Sequence, residues 1–257
     1  MNGKMPLKTR VASRSGHPHG VRTCSPMLIS EIFHSIQGEG MLAGMPSVFI
    51  RTSGCNLRCR WCDTPYASWN PEGRQMTVLE IMAEISGYGC RHVVVTGGEP
   101  MIAKELPELL RALSGQGHHL TVETAGTTAP PDSRVDLASI SPKLGHSTPD
   151  AAVAGESWVS RHEALRFQPD LLRQWCATFD YQLKFVVTNE NDLAEIEAMV
   201  NAIDAEIPAG KVLLMPEGTD AVTLKSRQDF VVDACLKRGY RYTPRLHIDL
   251  FGNVRGT

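Results

Sequence analysis

The chain has 257 residues, of which 42% are hydrophobic, so it can bury a substantial core and is not disordered throughout. Lys and Arg together number 26 against 28 Asp and Glu, a net charge of −2, which excludes the strongly basic field that non-specific nucleic-acid binding requires. No window approaches the roughly 18 consecutive apolar residues of a membrane-spanning helix, and no secretory leader pattern follows the start, so we expect a cytoplasmic protein without a nucleic-acid or membrane partner.

Residues 1–26 differ from the rest of the chain in charge. They contain five basic residues and no acidic one, and they show neither helical nor strand periodicity. Without those five charges, 21 basic and 28 acidic residues remain, a net charge of −7. We interpret residues 1–26 as a disordered basic extension before one folded domain, residues 27–257. A misassigned start, with Met27 as the true first residue, would explain the extension; a transit peptide is the alternative, although its amphipathic face is missing.

From residue 47 onward, short β-branched runs alternate with amphipathic stretches of helix length. This alternation is typical of parallel strands joined by crossover helices. Six such units are too few for a closed eight-stranded barrel. The sequence therefore predicts an α/β fold, an incomplete TIM-like barrel of about six parallel β/α units with its site at the carboxyl ends of the strands. The predicted strands are 47–52, 92–96, 119–123, 135–140, 181–187 and 211–215.

Two of the predicted helices have a clear apolar face. Thr77 and Glu80 form a capping-box pattern at the start of the first one. We expect the buried face of that helix to consist of Leu79, Met82 and Ile85. The corresponding face of the later helix is predicted to consist of Leu193, Ile196, Val200 and Ile203.

Three of the seven cysteines have the spacing C-x-x-x-C-x-x-C, at Cys55, Cys59 and Cys62. Thiolate sulfur is the ligand that iron–sulfur clusters select, and a helix would not bring these three side chains together. Gly54 can supply the positive φ that curls a loop, so that the thiolates reach three corners of one [4Fe-4S] cluster. The fourth iron then remains open to the amine and carboxylate of a small molecule. A zinc site completed by Cys90, His92 or another residue is the alternative, although no second C-x-x-C pair exists.

This segment and its surroundings carry a family resemblance. The cysteine spacing resembles that of the radical S-adenosylmethionine superfamily. The sequence QGEG at residues 37–40, Arg51, and CDT at residues 62–64 resemble the 7-carboxy-7-deazaguanine synthase family within that superfamily. The resemblance extends over most of residues 28–257, and it implies that residues 27–257 form a radical S-adenosylmethionine catalytic domain.

The resemblance also implies a binding site for S-adenosylmethionine beside the cluster. Gly98 and Glu99 match the superfamily's GGEP motif, whose turn holds the methionine amine; a plain Gly-Gly turn is the alternative. The remaining cofactor contacts are expected beside the last cysteine and after two further strands, where a solvated lysine and an ordinary turn are the alternatives. They are Trp61, Cys62, Asp63, Ser141, Pro142, Lys143, Met215, Pro216, Glu217 and Gly218.

Substrate contacts are implied for a second set of residues. Arg51 has a planar guanidinium that suits a bidentate contact with a carboxylate, and a surface arginine is the alternative. Thr64 carries a hard oxygen ligand, and the resemblance implies that it shares Mg²⁺ with the substrate carboxylate; an N-cap threonine is the alternative. The alternatives are an ordinary turn for the QGEG segment and a structural carboxylate for Glu123. The implied substrate contacts are Ile36, Gln37, Gly38, Arg51, Thr96, Glu123 and Thr257.

Two further polar residues have no assigned role from their patterns alone. Lys184 alternates with apolar neighbours and would need a partner if it points into the barrel. His247 lies, with Thr257, in a final segment that the family resemblance implies folds over the site.

The activity that the resemblance implies is that of a carbon–nitrogen lyase. A reduced cluster, supplied with an electron by a donor such as flavodoxin or ferredoxin, cleaves S-adenosylmethionine to a 5′-deoxyadenosyl radical. The substrate is 6-carboxy-5,6,7,8-tetrahydropterin, which loses a hydrogen at C6, contracts its ring and expels ammonia to leave 7-carboxy-7-deazaguanine, a precursor of queuosine in tRNA. Mg²⁺ would orient the substrate carboxylate. A homodimer is implied by family analogy alone.

Two other functions fit parts of the pattern. A glycyl-radical activase shares the cysteine spacing, but it needs a groove for a protein substrate and often has further clustered cysteines. A zinc-bound nucleic-acid module is the second, and the charge of −7 over residues 27–257 argues against it. The other cysteines are scattered and are expected to act as small buried hydrophobes: Cys24, Cys90, Cys176 and Cys235.

Overall fold

The structure is a computed structural model that describes residues 25–257. The predicted extension lies outside the described residues except for Ser25 and Pro26, which are exposed. Cys24 lies outside them as well. The first regular element begins at Met27, whose side chain is buried.

The described residues contain one sheet of nine strands. The strands are β1 (Met27–Ile36), β2 (Pro46–Thr52), β3 (Arg74–Met76), β4 (His92–Gly97), β5 (His119–Thr124), β6 (Leu137–Ile140), β7 (Tyr181–Val187), β8 (Val212–Pro216) and β9 (Arg241–Tyr242). From edge to edge their order is β3-β1-β2-β4-β5-β6-β7-β8-β9. β1 pairs antiparallel with β2 and β3, and all pairs from β2 to β9 are parallel.

The six predicted strands are confirmed as β2, β4, β5, β6, β7 and β8, which lie side by side in chain order. The sequence does not predict the other three strands. β3 and β9 have only three and two residues, too few to show a period of two. In β1 the register shifts between Ile29 and Glu31, and this bulge breaks the alternation of buried and exposed residues by which a strand is recognised.

Nine α-helices accompany the strands in the described part of the chain. They are α1 (Pro65–Ser68), α2 (Val78–Ser86), α3 (Leu106–Gly115), α4 (Ala151–Ala154), α5 (Glu156–Leu165), α6 (Pro169–Thr178), α7 (Asp192–Ala202), α8 (Ala221–Arg238) and α9 (Leu246–Phe251). The connection from β5 to β6 contains no helix, so the described residues do not divide into six regular β/α units and the predicted number is not confirmed. No helix within residues 25–257 is both long and apolar enough to cross a membrane.

The core forms where helices pack on the sheet, and it corrects one predicted helix face. α2 begins at the predicted capping box of Thr77 and Glu80. Leu79, however, is 75% exposed, whereas Val78 and Ile81 are buried. Leu79 lies about 120° around the helix from the last residue of the predicted face, so the two cannot both face the core. The predicted face of α7 is closer to the structure, with Val200 partly buried and three residues fully buried: Leu193, Ile196 and Ile203.

A cavity of about 630 Å³ lies at the carboxyl ends of the parallel strands. Side chains at or just after the ends of β2, β4, β5, β6, β7 and β8 line it, together with the QGEG segment and the final residues of the chain. Parallel strands point their carboxyl ends to one edge of the sheet, which brings segments distant in sequence to one place. This cavity is therefore the candidate functional site.

We expect two leucine substitutions in adjacent helices to have very different effects on the free energy of unfolding. Leu109 of α3 is 0% exposed, so Leu109→Ala should cost about 2–5 kcal/mol. Leu79→Ala should change stability by less than about 0.5 kcal/mol, because that side chain already lies in solvent. Anaerobic urea unfolding of identically prepared variants measures both, and equal losses would contradict the helix orientation described above.

Candidate active site

The three cysteines of the triplet lie in a loop, residues 53–62, that follows β2 and contains no helix or strand. We call this segment the cysteine loop. Gly54 has a φ of +109°, as the sequence predicts, and this value is unfavourable for any residue with a Cβ. Its N–H donates to the carbonyl of Ala67 at 2.7 Å, which bends the chain back over α1. The loop therefore curls at the position where the glycine stands.

All three thiols of the cysteine loop line the cavity. The Sγ of Cys62 is 3.0 Å from Oγ of Ser68, and Sγ of Cys55 accepts a hydrogen bond from the amide of Leu57 at 3.4 Å. Burial raises the pKa of the Cys55 and Cys59 thiols to about 12. Their thiolate forms therefore depend on a cationic partner in the cavity, which the irons of a cluster would provide. Within residues 25–257 no other cysteine lines the cavity, so the three thiols fit a [4Fe-4S] cluster with one iron left open.

The structure separates the residues that a zinc site would need. Cys90 precedes β4 and contacts the carbonyl oxygen of Pro46 at 3.3 Å, at the amino ends of the strands and opposite the cysteine loop. His92 begins β4 at that same edge. Within residues 25–257 no three His, Cys, Asp or Glu side chains gather around one point as ligands of a single ion do. A cubane does not require such a point, because each thiolate binds a different iron.

The Gly-Gly turn after β4 packs directly on the cysteine loop. A Cβ at Gly98 would come within 2.2 Å of the carbonyl oxygen of Gly54, so only glycine fits there. The Glu99 carboxylate accepts hydrogen bonds from Thr124 Oγ1 and the Ala125 amide, each at 2.8 Å, and from the Met101 amide at 3.1 Å. Burial outweighs these bonds and raises the pKa of Glu99. The side chain is thus engaged with the protein, and Glu99 does not line the cavity.

The two other predicted cofactor segments reach the cavity in part. Lys143 Nζ donates to Oγ of Ser141 at 2.9 Å, and both residues line the cavity. Met215 and Glu217 also line it. Every residue predicted for the site lines the cavity except Glu99, Pro142, Pro216 and Gly218.

Three residues predicted to contact substrate are hydrogen-bonded to one another. Gln37 Nε2 donates to Oε1 of Glu123 at 3.0 Å, and Thr96 Oγ1 donates to its Oε2 at 2.8 Å. They come from the segment after β1, from β4 and from β5. A carboxylate has about four lone-pair sites, so Glu123 can still accept hydrogen bonds from a ligand in the cavity. We call this set the Glu123 cluster.

Arg51 faces the cavity beside an acidic residue that the sequence analysis does not identify. Its Nε donates to Oε1 of Glu31 at 2.6 Å, and Tyr66 donates its hydroxyl to the same oxygen at 2.9 Å. Within residues 25–257 no hydrogen bond engages the terminal nitrogens of Arg51. The ion pair thus orients the guanidinium and leaves its terminal nitrogens for a ligand carboxylate.

Thr64 stands at the N-cap position of α1, but its side chain makes no capping hydrogen bond. Its Oγ1 lies 3.8 Å from Sγ of Cys62 and lines the cavity. Thr64 therefore does not act as an ordinary N-cap residue, because its hydroxyl does not accept a hydrogen bond from the first turn of α1. A hydroxyl in this state can serve as a hard oxygen ligand for a cation such as Mg²⁺.

No sequence pattern identifies Arg245, which is 6% exposed and joins three loops of the site. Its guanidinium pairs with Asp63, contacts Glu39 at 3.2 Å and donates to the carbonyl of Gly218 at 2.6 Å. Although burial favours the neutral acids, Arg245 holds the pKa of Asp63 below its usual value and, together with Lys184, does the same for Glu39. The carboxylate of Asp63 is thus ionised and paired with the guanidinium of Arg245.

Lys184 has the partner that its position requires. It is 6% exposed and forms an ion pair with Glu39 of the QGEG segment. The end of the chain also reaches the site: Leu246 donates its amide to the carbonyl of Gly38 at 2.9 Å, and His247 and Thr257 line the cavity. The alternation around Lys184 could have identified an inward charge, but no local signal identifies its partner.

Comparisons with known proteins agree with this architecture. The family model described as Radical SAM superfamily matches residues 49–139. A 7-carboxy-7-deazaguanine synthase of Halobacterium salinarum is 46% identical over 237 residues, which cover 89% of this chain and 92% of that protein. A protein of the same name from Rhodopirellula baltica is 46% identical over 234 residues, covering 91% of this chain and 90% of that protein.

A similar fold occurs in the crystal structure of QueE from Escherichia coli. It superimposes with a TM-score of 0.63 at 24% identity and covers 86% of this chain and 95% of that one. The similarity in sequence to the two synthases extends over nearly the whole of each protein, well beyond the cysteine loop. The chain therefore belongs to the 7-carboxy-7-deazaguanine synthase family of radical S-adenosylmethionine enzymes.

Proposed function

We propose that this chain converts 6-carboxy-5,6,7,8-tetrahydropterin into 7-carboxy-7-deazaguanine with loss of ammonia, as a carbon–nitrogen lyase. The observation that carries the proposal is that the cysteine loop and the Glu123 cluster line the same cavity. A cavity of about 630 Å³ has room for a cofactor and a substrate side by side. Family membership supports the same reaction.

In the proposed complex, the cysteine loop holds a [4Fe-4S] cluster and the neighbouring strand ends hold S-adenosylmethionine. When bound, this pair supplies a one-electron reductive cleavage that makes abstraction of a substrate hydrogen atom possible. The protein's part is to bring the reacting carbon and hydrogen close together and to exclude water. The residues proposed to hold S-adenosylmethionine are Trp61, Cys62, Asp63, Gly98, Glu99, Ser141, Pro142, Lys143, Met215, Pro216, Glu217 and Gly218.

The geometry supports different modes of contact within that set. Ser141, Lys143, Met215 and Glu217 can contact the cofactor through side chains that face the cavity. Glu99 already accepts three hydrogen bonds, so we propose that its part of the turn acts mainly by holding the Gly98 backbone in place. Asp63 acts in the same indirect way, since its carboxylate is paired with Arg245.

The substrate is proposed to lie between the Glu123 cluster and Arg51. The pterin ring presents N–H donors, which suit the remaining lone pairs of Glu123. The substrate carboxylate suits the terminal nitrogens of Arg51, whose Nε is occupied by Glu31. Thr64 and the same carboxylate would share Mg²⁺, which would fix the carboxylate during ring contraction. Ile36, Gln37, Gly38, Thr96 and Thr257 complete the proposed contacts.

Several wider features remain proposals that rest on family membership. We propose that residues 27–257 act as one catalytic domain built on an incomplete barrel, and that the enzyme works in the cytoplasm as a homodimer. Its reductant would be flavodoxin or ferredoxin, and its product would serve as a precursor of queuosine in tRNA. No groove for a protein substrate is needed for this reaction.

The proposed reaction can be tested directly. Reduced, reconstituted protein is incubated anaerobically with S-adenosylmethionine, Mg²⁺ and 6-carboxy-5,6,7,8-tetrahydropterin, and the products are identified by mass spectrometry. We expect 7-carboxy-7-deazaguanine and 5′-deoxyadenosine. Cleavage of S-adenosylmethionine without the deazaguanine would retain the radical chemistry but refute the proposed substrate.

Cys59→Ala should abolish product formation and lower the iron content, because it removes one of three cluster ligands. Cys176→Ala is the matched control, since this partly buried cysteine lies on α6 and packs against the core. Its iron content should stay at the parent value. Iron analysis and product assay are run on both, and full iron in Cys59→Ala would remove this residue from the cluster.

Thr64→Ala should weaken the dependence of turnover on Mg²⁺, because the hydroxyl proposed to bind the ion is lost. Thr64→Ser keeps that hydroxyl and should retain the parent's response. Turnover is measured as a function of Mg²⁺ concentration for the parent and both variants. An alanine variant with an unchanged Mg²⁺ curve would show that Thr64 is not a ligand.

Arg51→Lys should raise KM for the substrate by about tenfold, since losing one charge-assisted hydrogen bond costs about 1.5 kcal/mol. Arg134→Lys serves as the control, because that arginine is exposed and pairs with Asp136 away from the cavity. Steady-state kinetics at saturating S-adenosylmethionine give both values. Unchanged KM in Arg51→Lys would exclude a bidentate contact with the carboxylate.

A further inference from the structure

A side chain from a distant helix holds the middle of the cysteine loop. The amide of Arg58 donates to Nδ1 of His162 at 3.2 Å, although the two residues are 104 positions apart. The guanidinium of Arg58 also lies over the ring of Trp158, 3.9 Å from its centroid. His162 and Trp158 both belong to α5. This helix therefore contacts both the backbone and the side chain of the residue that precedes Cys59.

The hydrogen bonds around His162 define one tautomer of its ring. Because Nδ1 accepts from Arg58, the ring proton lies on Nε2, which donates to Oγ of Ser147 at 2.9 Å. That hydroxyl donates in turn to the carbonyl of Leu144 at 2.6 Å. The side chain of His162 is 0% exposed. The donor and the acceptor of all three hydrogen bonds in this buried series are therefore defined: Arg58 donates to His162, His162 to Ser147, and Ser147 to Leu144.

A short turn after β6 provides further contacts to the same loop. The 3₁₀ turn Gly145–Ser147 places the carbonyl of Ser147 where it accepts from the amide of Arg60 at 2.8 Å. Nδ1 of His146 accepts from Nε1 of Trp61 at 2.9 Å. The turn and α5 therefore engage three residues of the cysteine loop. We call this set the loop clamp: His146, Ser147 and His162.

The loop clamp is itself fixed by contacts with α7 and with the segment after β6. The amide of Gly145 donates to both carboxylate oxygens of Glu195 at 3.0 Å. Arg166 donates to Glu195 at 2.8 Å and to the carbonyl of Lys143 at 3.1 Å. Nε2 of His146 contacts the carbonyl of Val186 at 3.2 Å. The loop clamp is therefore held in place by contacts that do not involve the cysteine loop.

We propose that His162 is a positioning residue for the iron–sulfur cluster. Its hydrogen bond to the Arg58 amide fixes the orientation of the peptide group between Leu57 and Arg58, and so holds the backbone before Cys59 in the conformation that cluster binding requires. Rotation of that peptide would redirect the Cα–Cβ bond of Cys59, because the cysteine loop has no helix or strand to resist it. Residues one layer outside the ligands commonly orient them in this way. The inference rests on the proposed binding of a cluster by the cysteine triplet, and it does not depend on the substrate.

Two amide replacements separate the two hydrogen bonds of His162. An asparagine amide reaches about as far as Nδ1, so His162→Asn can still accept from the Arg58 amide. A glutamine amide reaches towards the position of Nε2, so His162→Gln can keep the contact with Ser147 and lose that with Arg58. His162→Phe removes both hydrogen bonds at similar volume.

The experiment measures cluster retention rather than turnover. Parent and variants are reconstituted identically, iron and sulfide are determined, and loss of visible absorbance to an iron chelator is followed without oxygen. We expect about four irons and slow release in the parent and in His162→Asn. His162→Gln and His162→Phe should release iron about tenfold faster. The Asn and Gln variants keep the test decisive if His162→Phe does not fold.

A buried residue away from the cysteine loop controls for general loss of stability. Val231 on α8 is 0% exposed, and α8 packs on β8 and β9, so Val231→Ala destabilises the fold without removing a hydrogen bond of the loop clamp. Its iron release should match the parent's. Equal release from the Asn, Gln and Phe variants, or fast release from Val231→Ala, would overturn the role of His162. A parent that binds about four irons and makes no deazaguanine would instead overturn the proposed function alone.

Discussion

The cysteine loop contains no helix or strand, so the directions of its three thiols depend on contacts with neighbouring elements together with a few hydrogen bonds inside the loop. The turn at Gly98 packs on its start, and Trp69 donates to the carbonyl of Cys59 at 3.1 Å on another side. The loop clamp supports the residues between the cysteines. A loop held from several sides loses its conformational freedom when the protein folds, and little ordering remains to be done when a large inorganic group binds.

The second constraint on the site is electrostatic. Arg245 and Lys184 are buried beside Glu39, and Arg245 also pairs with Asp63. Buried charges are tolerated when each has a partner, whereas removal of one partner leaves the other uncompensated. The same ion pairs join the QGEG segment, the residue that follows the cysteine loop and the segment before α9. The regions proposed to bind substrate and cofactor are therefore fixed relative to each other.

Local patterns in the sequence predicted much of the fold and of the site. The six central strands, the curl at Gly54 and the capping box of α2 depend on neighbouring residues, and the structure contains all of them. The contributions of Arg245 and His162 could not be predicted, because Glu39 and Asp63 lie more than a hundred positions from Arg245, Arg58 lies equally far from His162, and no spacing relates them. The exposed Leu79 shows a different limit, since a repeat of three residues drifts around a helix with 3.6 residues per turn.

The ion pair between Arg245 and Glu39 spans 206 positions, and the contact with Asp63 spans 182. Contacts of such high sequence separation form late, because the intervening chain must first be ordered. Asp63 is synthesised 182 residues before Arg245, so during synthesis this side of the cavity stays open until the segment that carries Arg245 has been made.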